Sequence, residues 1–117
     1  MTKVAKLTEC GPYDLVDGVR MFPFWGEGVM MNLVDLQPNA VVPVHSHPHE
    51  QLGLVVSGQI TMAIDGVDHP LGVDGCYQIP GGVEHGATAG GEGCRVLDIF
   101  QPVREDYVAR AGGAEGS

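Results

Sequence analysis

Turn residues cut this chain into pieces too short for ordinary helices. Eighteen glycines and eight prolines are spread over 117 residues, and they fall between apolar runs, where turns belong, rather than inside them. They follow no triplet period, which argues against a collagen-like helix. Between them the apolar residues alternate in the manner of half-buried strands. Residues 29–36, 41–47, 51–57, 59–64, 67–71, 76–79, 83–89 and 95–100 each read as extended segments. Asp65-Gly66 joins two of them with the strongest short hairpin signal. Pro43 places its segment near an edge or a strand start. Seven or eight short strands at regular spacing predict an all-β sandwich or small barrel. Residues 104–111 permit one short C-terminal helix, and residues 112–117 read as a flexible tail. No linker or repeat divides the chain, so residues 1–111 are expected to form a single domain.

Fifteen acidic residues against six basic ones give a net charge of −9. Such a surface repels phosphate backbones and anionic lipid, so neither nucleic acid nor a membrane is an expected partner. A small anionic or polyhydroxylated substrate remains compatible if a local cation receives it. The first ten residues lack the apolar core of a signal peptide. The three cysteines, Cys10, Cys76 and Cys94, are odd in number and lack the paired spacing of a metal knuckle. Reduced thiols in a cytoplasmic protein are the expectation.

Two segments carry chemistry. In His45-Ser46-His47-Pro48-His49-Glu50-Gln51, residues i and i+2 of a strand share a face about 6.5–7 Å apart. Two imidazoles so placed can converge on one ion at about 2.0–2.1 Å. In Gly75-Cys-Tyr-Gln-Ile-Pro80-Gly-Gly82-Val-Glu-His85, a proline–glycine turn delivers a third histidine. Three histidines facing one interior make an open site for a borderline metal such as Zn, Ni, Mn or Fe. One divalent ion per chain is expected.

These segments resemble the bipartite signature of the cupin family: His-x-His, three or four residues, an acidic position, six residues and a glycine, then glycine, proline-x-glycine, two residues and histidine. His45, His47, Gln51 and Gly58, then Gly75, Pro80, Gly82 and His85, take the matching places. The resemblance implies a cupin-type double-stranded β-helix, a jelly-roll barrel with at most one short C-terminal helix, and a metal held by His45, His47, Gln51 and His85. The departures are informative. Gln51 stands at the acidic position, while Glu50, one residue off, points to the other face by strand parity. Asn39 stands near the missing early glycine, and Ala89 replaces an expected asparagine. A glutamine carbonyl leaves the ion's charge unneutralised, which suits Lewis-acid work. The alternative is that Gln51 only forms a hydrogen bond within the barrel.

A third cluster is Leu97-Asp98-Ile99-Phe100-Gln101-Pro102-Val103-Arg104. Together with the histidine segment it is similar to the KdgF-type pectin-degradation cupins, which open cyclic 4,5-unsaturated uronates to linear ketouronates. The resemblance implies an enzyme of the isomerase or lyase type, with Asp98, Phe100 and Arg104 as its catalytic trio. Arg104 would grip a substrate carboxylate through two hydrogen bonds, and Asp98 would move its proton. Other readings stay open. Asp98 could be salt-bridged to Arg95 or Arg104 at the rim, Phe100 could be plain core, and His49 shares parity with His45 and His47. His69 reads as surface, and Phe22, Phe24 and Trp25 as pocket or dimer residues. An iron-dependent dioxygenase and a non-catalytic metal or ligand sensor are the rival functions. The apolar stretch Met21 to Trp25, read as an uncovered edge, joins the family resemblance in implying a two-fold homodimer.

Overall fold

The computed structural model describes residues 2–112; the expected tail lies outside them except for Gly112. After a 3₁₀ turn at Leu7–Glu9 come eight strands: β1 (Tyr13–Val16), β2 (Val19–Trp25), β3 (Met30–Leu36), β4 (Val41–His45), β5 (Glu50–Ile64), β6 (Val67–Leu71), β7 (Cys76–Ile79) and β8 (His85–Gln101). One helix, α1 (Glu105–Arg110), closes the chain.

The strands are all antiparallel, and β5 and β8 are the frame. They pair with each other from Glu50–Gln101 to Ile64–His85, with register shifts near Ser57 and Gly58. On one side of the shifts the order is β1-β2-β3-β8-β5-β7; on the other it is β4-β8-β5-β6. Two sheets that share two long bent strands form the jelly-roll barrel. Alternation decides what faces inward. Met30, Asn32 and Val34 on β3, Val96, Asp98 and Phe100 on β8, and Gln51 and Val55 on β5 are all buried. Leu52, Leu54 and Val56, their neighbours on β5, are exposed.

The eight strands are not the eight that the turn residues mark out. Gly58 and the run Gly90-Gly91-Glu92-Gly93 read as turns, yet each lies inside one continuous strand. Gly58 and Gly93 have φ of +77° and +78°, the left-handed region open to glycine, so they bend strands without ending them. A Cβ at Gly58 would strike the Gly93 carbonyl and the Cys94 backbone. Asn39, with φ of +63°, takes the left-handed turn that a glycine would fill, a conformation asparagine tolerates. At the N-terminus, β1 and β2 are additional strands. The Met21–Trp25 stretch is therefore no bare edge: β1 lies against its start, and Met21, Phe22 and Pro23 are buried.

Gly58→Ala should destabilise the fold by about 3 kcal/mol or more, since it adds a backbone collision to positive-φ strain. Gly66→Ala, at φ +79° with open space around it, should cost about 1 kcal/mol. Urea midpoints at unchanged slope measure both, and equal losses would contradict the role given to the bend.

Candidate metal centre and its polar surround

Strand β4 delivers His45, the loop after it delivers His47, and β8 opens on His85. His45 and His85 lie opposite each other in the β4–β8 pairing. The Pro80-Gly81-Gly82 turn is fastened to the His47 loop: the Gly82 N–H donates to the His47 carbonyl at 2.8 Å, and a Cβ on Gly81 would collide with the Pro48 carbonyl. Glycine there is what allows the two motif segments to touch.

The imidazoles are oriented from behind. Nδ1 of His45 lies 2.8 Å from the Pro43 carbonyl, Nδ1 of His85 lies 2.8 Å from that of Val83, and Nδ1 of His47 lies 3.1 Å from that of His49. A carbonyl can only accept, so each Nδ1 carries the proton and each Nε2 presents a lone pair. The Nε2 atoms of His47 and His85 approach to 3.2 Å, and the Gln51 Oε1 comes within 3.1 Å of His47 Nε2. The candidate ligand atoms of the three histidines all lie within 4.8 Å of one another. Acceptors converging without a proton between them suit a cation, so this donor set fits a divalent metal. Burial, followed by the charges of Arg104 and His85, pushes His47 down to about 4. His85 is lowered too, chiefly by burial. Both rings are therefore neutral donors at neutral pH.

Beside them lies a cavity of about 50 Å³, lined by His45, Gln51, His85, Asp98, Phe100 and Tyr107 among apolar core residues. Asp98 is buried, and burial pushes it up to about 6 against the opposing effects of hydrogen bonds from Tyr77 and Gln51 and the charge of Arg104. Its bond from the Tyr77 hydroxyl measures 2.5 Å. The rim salt bridge considered for it is absent: Arg95 pairs with Asp35, and Arg104 with Asp106. Phe100 is in the core and stands edge-on to His47, with ring centroids 5.7 Å apart. Arg104 is buried and stacks over Tyr107 at 3.9 Å and Phe100 at 5.1 Å. Its fork is not wholly free for a substrate, because Nε and Nη2 already bind the two Asp106 oxygens; Nη1 is buried without a partner.

Other candidates fall outside. Glu50 is exposed and accepts from Gln78, as parity requires. His49 shares parity with the pair but is not in the histidine cluster. His69 is exposed on β6. Phe22, Phe24 and Trp25 do not line the cavity. Tyr77 and Tyr107 were missed by sequence reasoning. Parity with Ile79 on β7 points Tyr77 inward, but its register with Asp98 is a long-range fact that no local pattern carries.

The fold and the histidine cluster define a small cupin barrel. A Cupin domain model matches residues 32–100, and the chain belongs to that family. It is 29% identical over 97 residues to the pectin degradation protein KdgF of Dickeya dadantii (strain 3937), spanning 81% of this chain and 88% of that protein. It is 40% identical over 88 residues to the dimethylsulfoniopropionate lyase DddW of Ruegeria pomeroyi, spanning 75% of this chain but 49% of that protein. The structure of KdgF from a Halomonas species superposes with a TM-score of 0.84 at 26% identity, covering 92% of this chain and 99% of that one. Among the described residues, no helix is long and apolar enough to cross a membrane.

Purified protein is expected to carry about one divalent ion per chain. By elemental analysis, His47→Ala and His85→Ala should lose most of it and His69→Ala should keep it; equal retention in all three would remove the site. In cobalt-substituted protein, Gln51→Ala should alter the spectrum and Glu50→Ala should not. The reverse pattern would place the fourth ligand one residue away.

Proposed function

We propose that this chain is a single-domain, metal-dependent cupin enzyme that opens and tautomerises a 4,5-unsaturated uronate or a similar small sugar acid. The observation that carries the reading is the buried Asp98 carboxyl beside the histidine cluster, with the unpaired Nη1 of Arg104 close by. A metal-binding module without turnover has no use for a desolvated acid poised near neutrality.

The proposed metal ligands are His45, His47, Gln51 and His85. A divalent ion bound there would supply Lewis acidity to an oxygen of the ring. The residues do the rest. Nη1 of Arg104 receives the substrate carboxylate, with its neighbours held still by Asp106, and compensates the charge brought into an acidic protein. Phe100 lies against the flat unsaturated end. The reaction is an isomerisation: a proton leaves the anomeric hydroxyl, the bond from the anomeric carbon to the ring oxygen breaks, and a proton returns to carbon 4 as the enol becomes a ketone. No co-substrate is consumed. Asp98, at about 6, can both accept and return that proton, work worth about 10²–10⁴ in rate. The cavity of about 50 Å³ holds only a few water molecules, so the sugar would present its reacting end inward and its other hydroxyls to the mouth.

The similarity to DddW favours a second reading, β-elimination. Asp98 would take a proton beside the carboxylate of dimethylsulfoniopropionate as the carbon–sulfur bond breaks. The homodimer stays a proposal and moves to another surface, the exposed apolar face of Leu52, Leu54 and Val56 on β5. A cytoplasmic location completes the reading.

Metal-loaded protein should speed the loss of the uronate's ultraviolet absorbance beyond the spontaneous rate without consuming oxygen. Asp98→Ala should abolish this with the metal retained, and Arg104→Ala should chiefly raise KM. An unchanged spontaneous rate would end the uronate reading, release of dimethyl sulfide would establish the lyase, and oxygen uptake would point to a dioxygenase.

A further inference from the structure

We propose that Tyr77 is a positioning residue for Asp98, and that Gly53 is the gap through which it reaches. The inference rests on the reading of Asp98 as the proton-transfer group. Three rows of residues cross the inner face of the larger sheet. One runs Trp25, Met30, Phe100, Gln51, Ile79; the next runs Pro23, Asn32, Asp98, Gly53, Tyr77; a third runs Met21, Val34, Val96, Val55. In the middle row, Asp98 on β8 and Tyr77 on β7 are separated by the whole width of β5. Two strand spacings amount to about 9–10 Å, so the phenol must lie flat across the intervening strand to touch the carboxylate.

It does so over Gly53. A Cβ there would fall inside the Tyr77 ring, against Cζ, Cε1 and the hydroxyl oxygen. Gly53 has no positive φ, so the backbone does not demand glycine at this position; the tyrosine does. Tyr77 is buried, and Asp98 is the one hydrogen-bond partner of its hydroxyl among the described residues. Asn32, on the other side of Asp98, turns its amide to the Met21 sulfur at 2.9 Å and gives Asp98 nothing. The Tyr77 hydroxyl donates to Oδ1 of Asp98 at 2.5 Å, the tightest polar contact the carboxyl makes, and Gln51 adds a weaker hydrogen bond to it. A carboxyl tethered in this way keeps one rotamer, and a proton transfer needs that constancy of distance.

The test uses full-length, metal-loaded Tyr77→Phe, Gly53→Ala and the double variant. Tyr77→Phe removes one hydroxyl and no packing, and should lower kcat on the unsaturated uronate about 10- to 100-fold, with KM and metal content unchanged. Gly53→Ala, whose Cβ displaces the ring itself, should lower kcat at least as far, and adding Tyr77→Phe to it should cost little more because the bond is already lost. Independently of turnover, zinc-loaded protein labelled with 3-fluorotyrosine should give one ¹⁹F resonance for each of three tyrosines. The resonance missing in Tyr77→Phe should move in Asp98→Asn and in Gly53→Ala. Wild-type kcat in Tyr77→Phe, or a Tyr77 resonance indifferent to Asp98→Asn, would overturn the proposal. Should the wild type itself not act on the uronate, that reading of the function fails alone, and the fluorine shifts decide whether Tyr77 holds Asp98.

Discussion

Strands β5 and β8 stay paired through both sheets of the barrel, and almost everything else in the molecule takes its position from that pairing. β3 and β4 lie against β8, while β6 and β7 lie against β5. The register brings Gln51 beside Phe100, Gly53 beside Asp98, and Ile64 beside His85. Because side chains alternate, a slip of one residue in β5 would turn Gln51 to solvent and bring Leu52 inside, and one in β8 would do the same to Asp98 and Phe100 and bring Ile99 inside. The shifts near Gly58, with left-handed Gly58 and Gly93 facing each other, let the pair bend from one sheet into the other without breaking.

The site inherits its electrostatics from this frame. In a protein of net charge −9, the His47 and His85 rings are kept neutral by burial, and backbone carbonyls fix which nitrogen of each of the three rings is free. The resulting cluster of lone pairs is a poor arrangement in itself and becomes favourable when a cation is added. Arg104 is the one cation that touches the aromatic wall of the cavity among the described residues, and Asp106 and Tyr107 hold it there. Neutral donors, a desolvated carboxyl and a guanidinium with one unpaired nitrogen are the groups that the proposed proton transfer on a small anion would use.

Much of this was legible in the residues, and the exceptions have physical causes. His45, His47, Gln51 and His85 come together as the motif implies, but not by strand parity alone: the extended segment expected over 41–47 ends at His45, and the loop that follows carries His47, while the Pro-x-Gly turn before His85 is local geometry. The Asp65-Gly66 hairpin and the short terminal helix are local too. Strand ends at Gly58 and Gly90–Gly93 were misplaced because a glycine that bends a strand looks, in sequence, like one that ends it. β1 and β2 were missed because Pro23 interrupts the second; it is accommodated where β2 runs past the end of β1 and has β3 alone as a neighbour. The Asp98–Tyr77 bond and the Arg104–Asp106 fork depend on register and on the turn into α1, and composition encodes neither.

The metal site proposed for this barrel consists of imidazole nitrogens and one amide oxygen. Extended X-ray absorption fine structure of zinc-loaded protein tests it directly. The expected spectrum shows a first shell of nitrogen and oxygen only, at about 2.0–2.1 Å, with the outer-ring scattering of about three imidazoles. A sulfur scatterer at about 2.3 Å, or a shell without imidazole scattering, would contradict it.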